Sequence, residues 1–235
     1  MAFVTPVPIV ALDVPDAGSA LDLVRRLGAL CGFYKVGGEL FTAMGPSVVE
    51  AIRREGKQVF LDLKFHDIPN TVRSACRSAA SCGASLITVH ALGGRTMMAA
   101  AVEGAGDGCG VLAVTVLTSF DQVSLSEALG RPIVSVSDEV SRLAGVAKAA
   151  HVHGVVCSGQ EAARISAEHG GRLATLVPGV RLPGDAVNDQ RRVVTPGDAA
   201  RAGATYVVVG RTVTAAPEPT HAMSRVLAEL SGKTP

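Results

Sequence analysis

Phe60-Leu61-Asp62-Leu63-Lys64-Phe65-His66-Asp67-Ile68-Pro69-Asn70-Thr71 places three charges where a chain should not place them. Gln58–Phe65 otherwise reads as a buried strand. Residues two apart leave the same face of a strand, so Asp62 and Lys64 point together, and Asp67 follows just past the end. A carboxylate and an ammonium on an inward face are costly unless paired. The alternating array therefore reads as a chemical device. It holds a lysine protonated beside a second negative charge, as a proton donor for a carbanion. A structural ion pair inside the sheet is the alternative reading.

Working outward, Val72–Cys82 has helical spacing, Gly83 reads as its stop, and Leu86–His90 is again a continuous apolar run. This strand–helix–strand unit recurs along the chain. Strands are expected at Ile9–Val14, Gly32–Gly37, Gln58–Phe65, Leu86–His90, Val111–Leu117, Gly154–Cys157, Ala174–Val180 and Tyr206–Gly210. Helical spacing marks Ala17–Leu30, Pro46–Arg54, Asp138–Ala150 and Glu161–His169, with Gly56, Gly170 and Gly203 as further stops. Near-continuous apolar strands suit parallel strands covered on both faces. Eight of them alternating with helices over 235 residues predict an α/β fold: one (β/α)₈ TIM barrel domain spanning residues 1–235. An open doubly wound sheet would carry a Gly-rich turn after its first strand. Here Asp13-Val14-Pro15-Asp16 stands in that place, and the Gly-rich piece Gly104–Gly110 precedes a strand.

Composition narrows the function. Lys and Arg number 22 against 21 Asp and Glu, so the net charge is +1, without the excess a nucleic-acid binder needs. There is no Trp and aromatics are 3%, too few for a base-stacking platform. The five cysteines are odd in number and lack C-x-x-C spacing, which argues for buried thiols in a reducing compartment. The first residues lack a basic n-region, and no apolar run reaches the roughly 18 residues of a membrane span. A cytoplasmic location, away from any membrane, is expected.

In a barrel the chemistry sits at the C-terminal strand ends. Asp13, Lys35, Asp62, Lys64, Asp67, His90 and Thr118-Ser119 fall at or near those ends, as do Pro178-Gly179-Val180-Arg181 and Gly210-Arg211. Asp13 and Asp67 each have a second reading as helix N-caps. The strand-seven and strand-eight loops are the usual phosphate site. Gly210 allows close approach to the backbone, and Arg211 offers a planar fork. Residues 181–196 form a long polar loop, read as a lid whose Arg181 and Gln190 close on a phosphate; Arg191 and Arg192 are expected to face solvent. His66 is within reach of the mouth, His90 reads as a packing or hydrogen-bonding group, and His151 and His153 as a surface pair at the opposite end. Ammonium groups at Lys35 and Lys64 already supply the positive charge a metal would bring, so no metal is expected.

Asp62-x-Lys64-x-x-Asp67-Ile68-x-x-Thr71 resembles the signature of the orotidine 5′-phosphate decarboxylase family in its bacterial form. Ala11-Leu12-Asp13, Tyr34-Lys35-Val36-Gly37, Val116-Leu117-Thr118-Ser119, Val177-Pro178-Gly179-Val180-Arg181 and Val208-Val209-Gly210-Arg211 extend the resemblance in order over nearly the whole chain. The resemblance implies decarboxylation of orotidine 5′-monophosphate to UMP and CO₂, the last step of pyrimidine nucleotide synthesis, without cofactor. It implies that Lys64 protonates C6 of the pyrimidine and that Asp62 faces the departing carboxylate. Lys35 and Asp13 hold the ribose hydroxyls, and Thr118 fixes the ring. Arg181, Gln190, Gly210 and Arg211 grip the phosphate, with Pro178 among the substrate-lining groups. It further implies a homodimer in which Asp67 and Thr71 reach the neighbouring site. A metal-dependent sugar-phosphate decarboxylase or aldolase sharing D-x-K-x-x-D is the nearest rival, and a nucleotide binder without turnover is a second.

Overall fold

The computed structural model describes residues 5–185 and 192–232. Eight parallel strands close in sequence order, the first pairing with both the second and the eighth. They are β1 (Val7–Ala11), β2 (Phe33–Gly37), β3 (Gln58–Phe65), β4 (Leu86–His90), β5 (Gly110–Val114), β6 (Gly154–Val156), β7 (Ala174–Val180) and β8 (Tyr206–Val209). The crossovers carry α1 (Ala17–Leu27), α2 (Gly38–Met44), α3 (Ser47–Arg54), α4 (Pro69–Ser81), α5 (Gly94–Ala105), α6 (Gln122–Leu129), α7 (Val136–Ala149), α8 (Gly159–His169) and α9 (Pro196–Arg201). Beyond β8 follow α10 (Arg211–Thr214) and α11 (Pro219–Leu230). The expected (β/α)₈ barrel is thus the observed fold.

Alternation along the strands makes two apolar layers. Ile9, Ala11, Phe33, Phe60, Leu86, Leu112, Leu176 and Val208 point inward and plug the barrel. Their neighbours of opposite parity, such as Val10, Val36, Val59, Leu61, Ile87, Val177 and Val209, pack outward against the helices. No strand therefore has a wet face, which explains the near-continuous apolar runs.

Element ends differ from expectation where a partner stops. The fifth strand ends at Val114 rather than Leu117, because its neighbour β6 is only three residues long. Beyond it the Thr115 hydroxyl and amide both donate to the Val156 carbonyl. The first strand begins earlier than expected, at Val7, because its ladder with β8 starts there. Helix α1 stops at Leu27, with Gly28 at a φ of 51° beginning a 3₁₀ turn. Helix α4 starts at Pro69 rather than Val72, since proline suits a first-turn position whose N–H has no partner anyway. The Gly104–Gly110 segment is the turn from α5 into β5, as expected. No helix among the described residues is long and apolar enough to cross a membrane.

Candidate active site

The parity that plugs the barrel with Ile9, Phe33, Phe60 and Leu86 also sends Asp13, Lys35, Asp62, Lys64 and Thr88 toward its C-terminal mouth. These charges form a chain. Lys35 Nζ donates to Asp13 Oδ1 at 2.8 Å and stands 3.9 Å from Asp62 Oδ2. Lys64 Nζ donates to both Asp62 oxygens at 2.9 Å. Lys35 and Asp62 are 12% and 14% exposed against 38% for Lys64, so Lys64 is the more open of the two ammoniums. Gly37 makes room: a Cβ there would lie 2.9 Å from Lys35 Nζ. The caps are resolved as well. Asp16, not Asp13, caps α1 through the Ser19 amide, and Ile68, without a side-chain bond, stands at the start of α4.

Lys64 sits in the left-handed region at a φ of 51°. A non-glycine residue there costs about 1–2 kcal/mol, and such strain concentrates at working sites. The β3–β4 register shifts between Leu61 and Phe65, so the strand is irregular where it carries the lysine. Thr88 holds this geometry. Its Oγ1 accepts from the Lys64 amide at 2.9 Å and donates to Asp62 Oδ1 at 2.9 Å. Thr88 is buried and was not among the residues expected from sequence. Its signal is parity: it lies two residues beyond the inward Leu86, on the strand beside Asp62.

A cavity of about 860 Å³ opens over this chain of charges. Thr118, Ser119, Pro178, Gly179, Arg181, Gly210 and Arg211 line it with Asp13, Lys35, Asp62 and Lys64. A Cβ on Gly210 would meet only the Ala11 Cβ, at 3.9 Å, so that backbone is open to a ligand. Arg181 is buried and donates from Nη1 to the Val180 carbonyl at 3.0 Å. The His66 and His90 rings lie 5.5 Å apart. Burial, then the nearby His66 and Lys64, pushes the His90 pKa down and favours its neutral form.

Gln190 and Arg191 lie outside the described residues. Asp67 and Thr71 are exposed and are not among the described residues that line this cavity; Asp67 Oδ1 accepts from the adjacent Ile68 amide at 2.6 Å. The expectation that Arg192 faces solvent is wrong. Its side chain is 11% exposed, and the guanidinium donates from Nη1 to Glu161 Oε1 at 2.6 Å and from Nη2 to the Leu117 carbonyl at 3.3 Å. The pull of a buried carboxylate explains the difference, because Glu161 would otherwise be desolvated without a cation. His151 and His153 are exposed at the opposite end, as expected, where His153 Nε2 meets the Tyr206 hydroxyl at 3.1 Å.

The family described as orotidine 5′-phosphate decarboxylase / HUMPS matches residues 6–226. A protein of Alkalilimnicola ehrlichii named orotidine 5′-phosphate decarboxylase is 50% identical over 229 residues, 96% of each chain. One of Halorhodospira halophila with the same name is 47% identical over 228 residues, 95% of each. The crystal structure of orotidine 5′-phosphate decarboxylase from Lactobacillus acidophilus superposes with a TM-score of 0.85 at 34% identity, covering 97% of this chain and 99% of that one.

Proposed function

The chain belongs to the orotidine 5′-phosphate decarboxylase / HUMPS family, and from that premise we propose that it converts orotidine 5′-monophosphate to UMP and CO₂. The observation that carries the reading is the Asp13–Lys35–Asp62–Lys64 chain under a cavity that also presents Arg181 and Arg211. The cavity offers an alternating set of fixed charges together with two guanidiniums suited to phosphate.

Breaking the C6–carboxylate bond leaves its electron pair on C6, in an orbital that no ring carbonyl directly delocalises. Stabilisation then has to come from charges oriented before reaction. Lys64, the more exposed of the two lysines, gives its proton to C6 and regains one from solvent. Asp62 meets the substrate carboxylate, Asp13 and Lys35 hold the ribose, and Thr118 fixes the ring. Arg181, Gly210 and Arg211 take the phosphate, with Gln190 beside them and Pro178 at the wall. Lysine ammoniums meet both Asp13 and Asp62, so the site supplies its own cations and the reaction runs without metal. Binding energy at the remote phosphate serves the reacting carbon by ordering the site and excluding water.

The active unit is a homodimer. Asp67 and Thr71 are exposed, beside Ile68 at 68% exposure; in the proposed dimer they reach the neighbouring site. The enzyme works in the cytoplasm as one catalytic domain.

The test is turnover. The purified protein should decarboxylate orotidine 5′-monophosphate fully in EDTA; activity that disappears with chelator would favour the metal-dependent rival, and binding without CO₂ release a non-catalytic role. Mixed dimers of Asp67→Ala and Lys64→Ala subunits should recover activity neither parent has. Verified heterodimers with no recovery would remove the shared site.

A further inference from the structure

Buried ion pairs contribute little to stability, because desolvation offsets their attraction. The Arg192–Glu161 pair, 11% and 5% exposed, therefore calls for a geometric reason. It stands apart from the Asp13–Lys64 chain, and nothing in the proposed reaction uses it. Glu161 is fixed at the start of α8, where the Ser158 hydroxyl and amide both donate to its Oε2. The backbone beyond Arg192 is also pinned. Val194 bridges Val180, its carbonyl accepts from the Arg181 amide at 3.0 Å, and its side chain fills the space where Gly159 has no Cβ.

From this anchored position the other arm of the guanidinium reaches the Leu117 carbonyl. That carbonyl also accepts from the Phe120 amide at 3.0 Å, closing the turn that holds Thr118 and Ser119 in the cavity wall. The strand below gives this turn no further ladder, since β5 and β6 end at Val114 and Val156. Arg192 thus ties the chain leaving β7 to two segments 31 and 75 residues away from it, the start of α8 and the turn after β5.

We propose that Arg192 is a positioning residue that fixes the Leu117–Phe120 turn, and through Thr118 sets the base end of the substrate rather than its phosphate end. This rests on the reading of Thr118 as the pyrimidine contact. Arginine is required because its planar fork serves two acceptors in different directions, while lysine presents a single point charge.

The experiment measures orotidine 5′-monophosphate turnover, with UMP and ribose 5-phosphate as competing inhibitors, for the parent, Arg192→Lys and Thr118→Val. The lysine keeps a cation on Glu161 and releases Leu117. Arg192→Lys should weaken UMP about tenfold and lower kcat/KM by up to about a hundredfold, as expected for a contact displaced by roughly 1 Å. Ribose 5-phosphate, which has no base, should bind as to the parent. Equal losses for both ligands, or no loss for UMP, overturn the proposal. If Arg192→Lys does not fold, Glu161→Gln is measured in its place, with the same selective loss expected and the same outcomes overturning it. Failure of the parent to release CO₂ would strike the proposed function itself. A parent that turns over, with Thr118→Val sparing UMP, would instead strike the assignment of Thr118 and this proposal with it.

Discussion

Asp62 and Glu139 each lie sunk in the protein between two cationic side chains. At Glu139, 6% exposed, Arg142 donates to both oxygens at 2.5 and 3.0 Å and Arg131 to one at 2.8 Å. The hydrogen bonds from Arg142, opposed by burial and aided by Arg131, bring its pKa from 4.5 to about 2. At Asp62, 14% exposed, the cations are Lys64 at 2.9 Å and Lys35 at 3.9 Å. The two sites share a motif and differ in the cation. A guanidinium does not give up its proton in a protein, so Glu139 sits in a permanent structural clasp. An ammonium can release one, so the Asp62 site can do acid–base chemistry. Backbone strain marks the same distinction: Lys64 has a positive φ, and neither arginine at Glu139 does.

The sharpest way to break this comparison is Lys64→Arg. It keeps the charge beside Asp62 and removes the transferable proton. Turnover should fall by roughly 10⁴-fold, the upper range for a lost general acid, while UMP still binds. Substantial CO₂ release from this variant would mean that charge alone suffices and the proton-donor assignment fails. Thr88→Val is the next test. It keeps side-chain shape and removes the hydroxyl joining the Lys64 amide to Asp62. A drop of about 10–100-fold in kcat with a smaller change in KM is expected from misplacement of the reacting groups. A KM effect alone would make Thr88 a binding contact instead.

Glu139→Gln should have the smallest effect on catalysis and a clear one on stability. Urea unfolding at neutral pH should show a loss of about 1–3 kcal/mol, with turnover that of the parent. A carboxylate whose folded pKa is depressed stabilises above its unfolded value, and that stability is lost as pH falls through the folded value. The parent's advantage should therefore shrink between pH 4.5 and about 2. An advantage that persists undiminished at the acid end would deny the clasp its electrostatic origin.

The sequence by itself determined the barrel, because strands buried on both faces must be apolar throughout and period-two alternation is local. The same locality made Asp62 and Lys64 legible as neighbours, and made the Asp13, Lys35 and Arg211 strand ends legible as one mouth. Only the tertiary structure decided that Thr88 joins Lys64 to Asp62, since that contact crosses 24 and 26 residues and exists only once β3 lies beside β4. It alone turned Arg192 inward, toward a carboxylate 31 residues away. It also set Asp67 and Thr71 outside their own chain's cavity, although they share a motif with Lys64. Periodicity fixes which face a side chain leaves from; barrel closure fixes what it meets, because partners distant in sequence are brought within hydrogen-bond range only by the register of neighbouring strands.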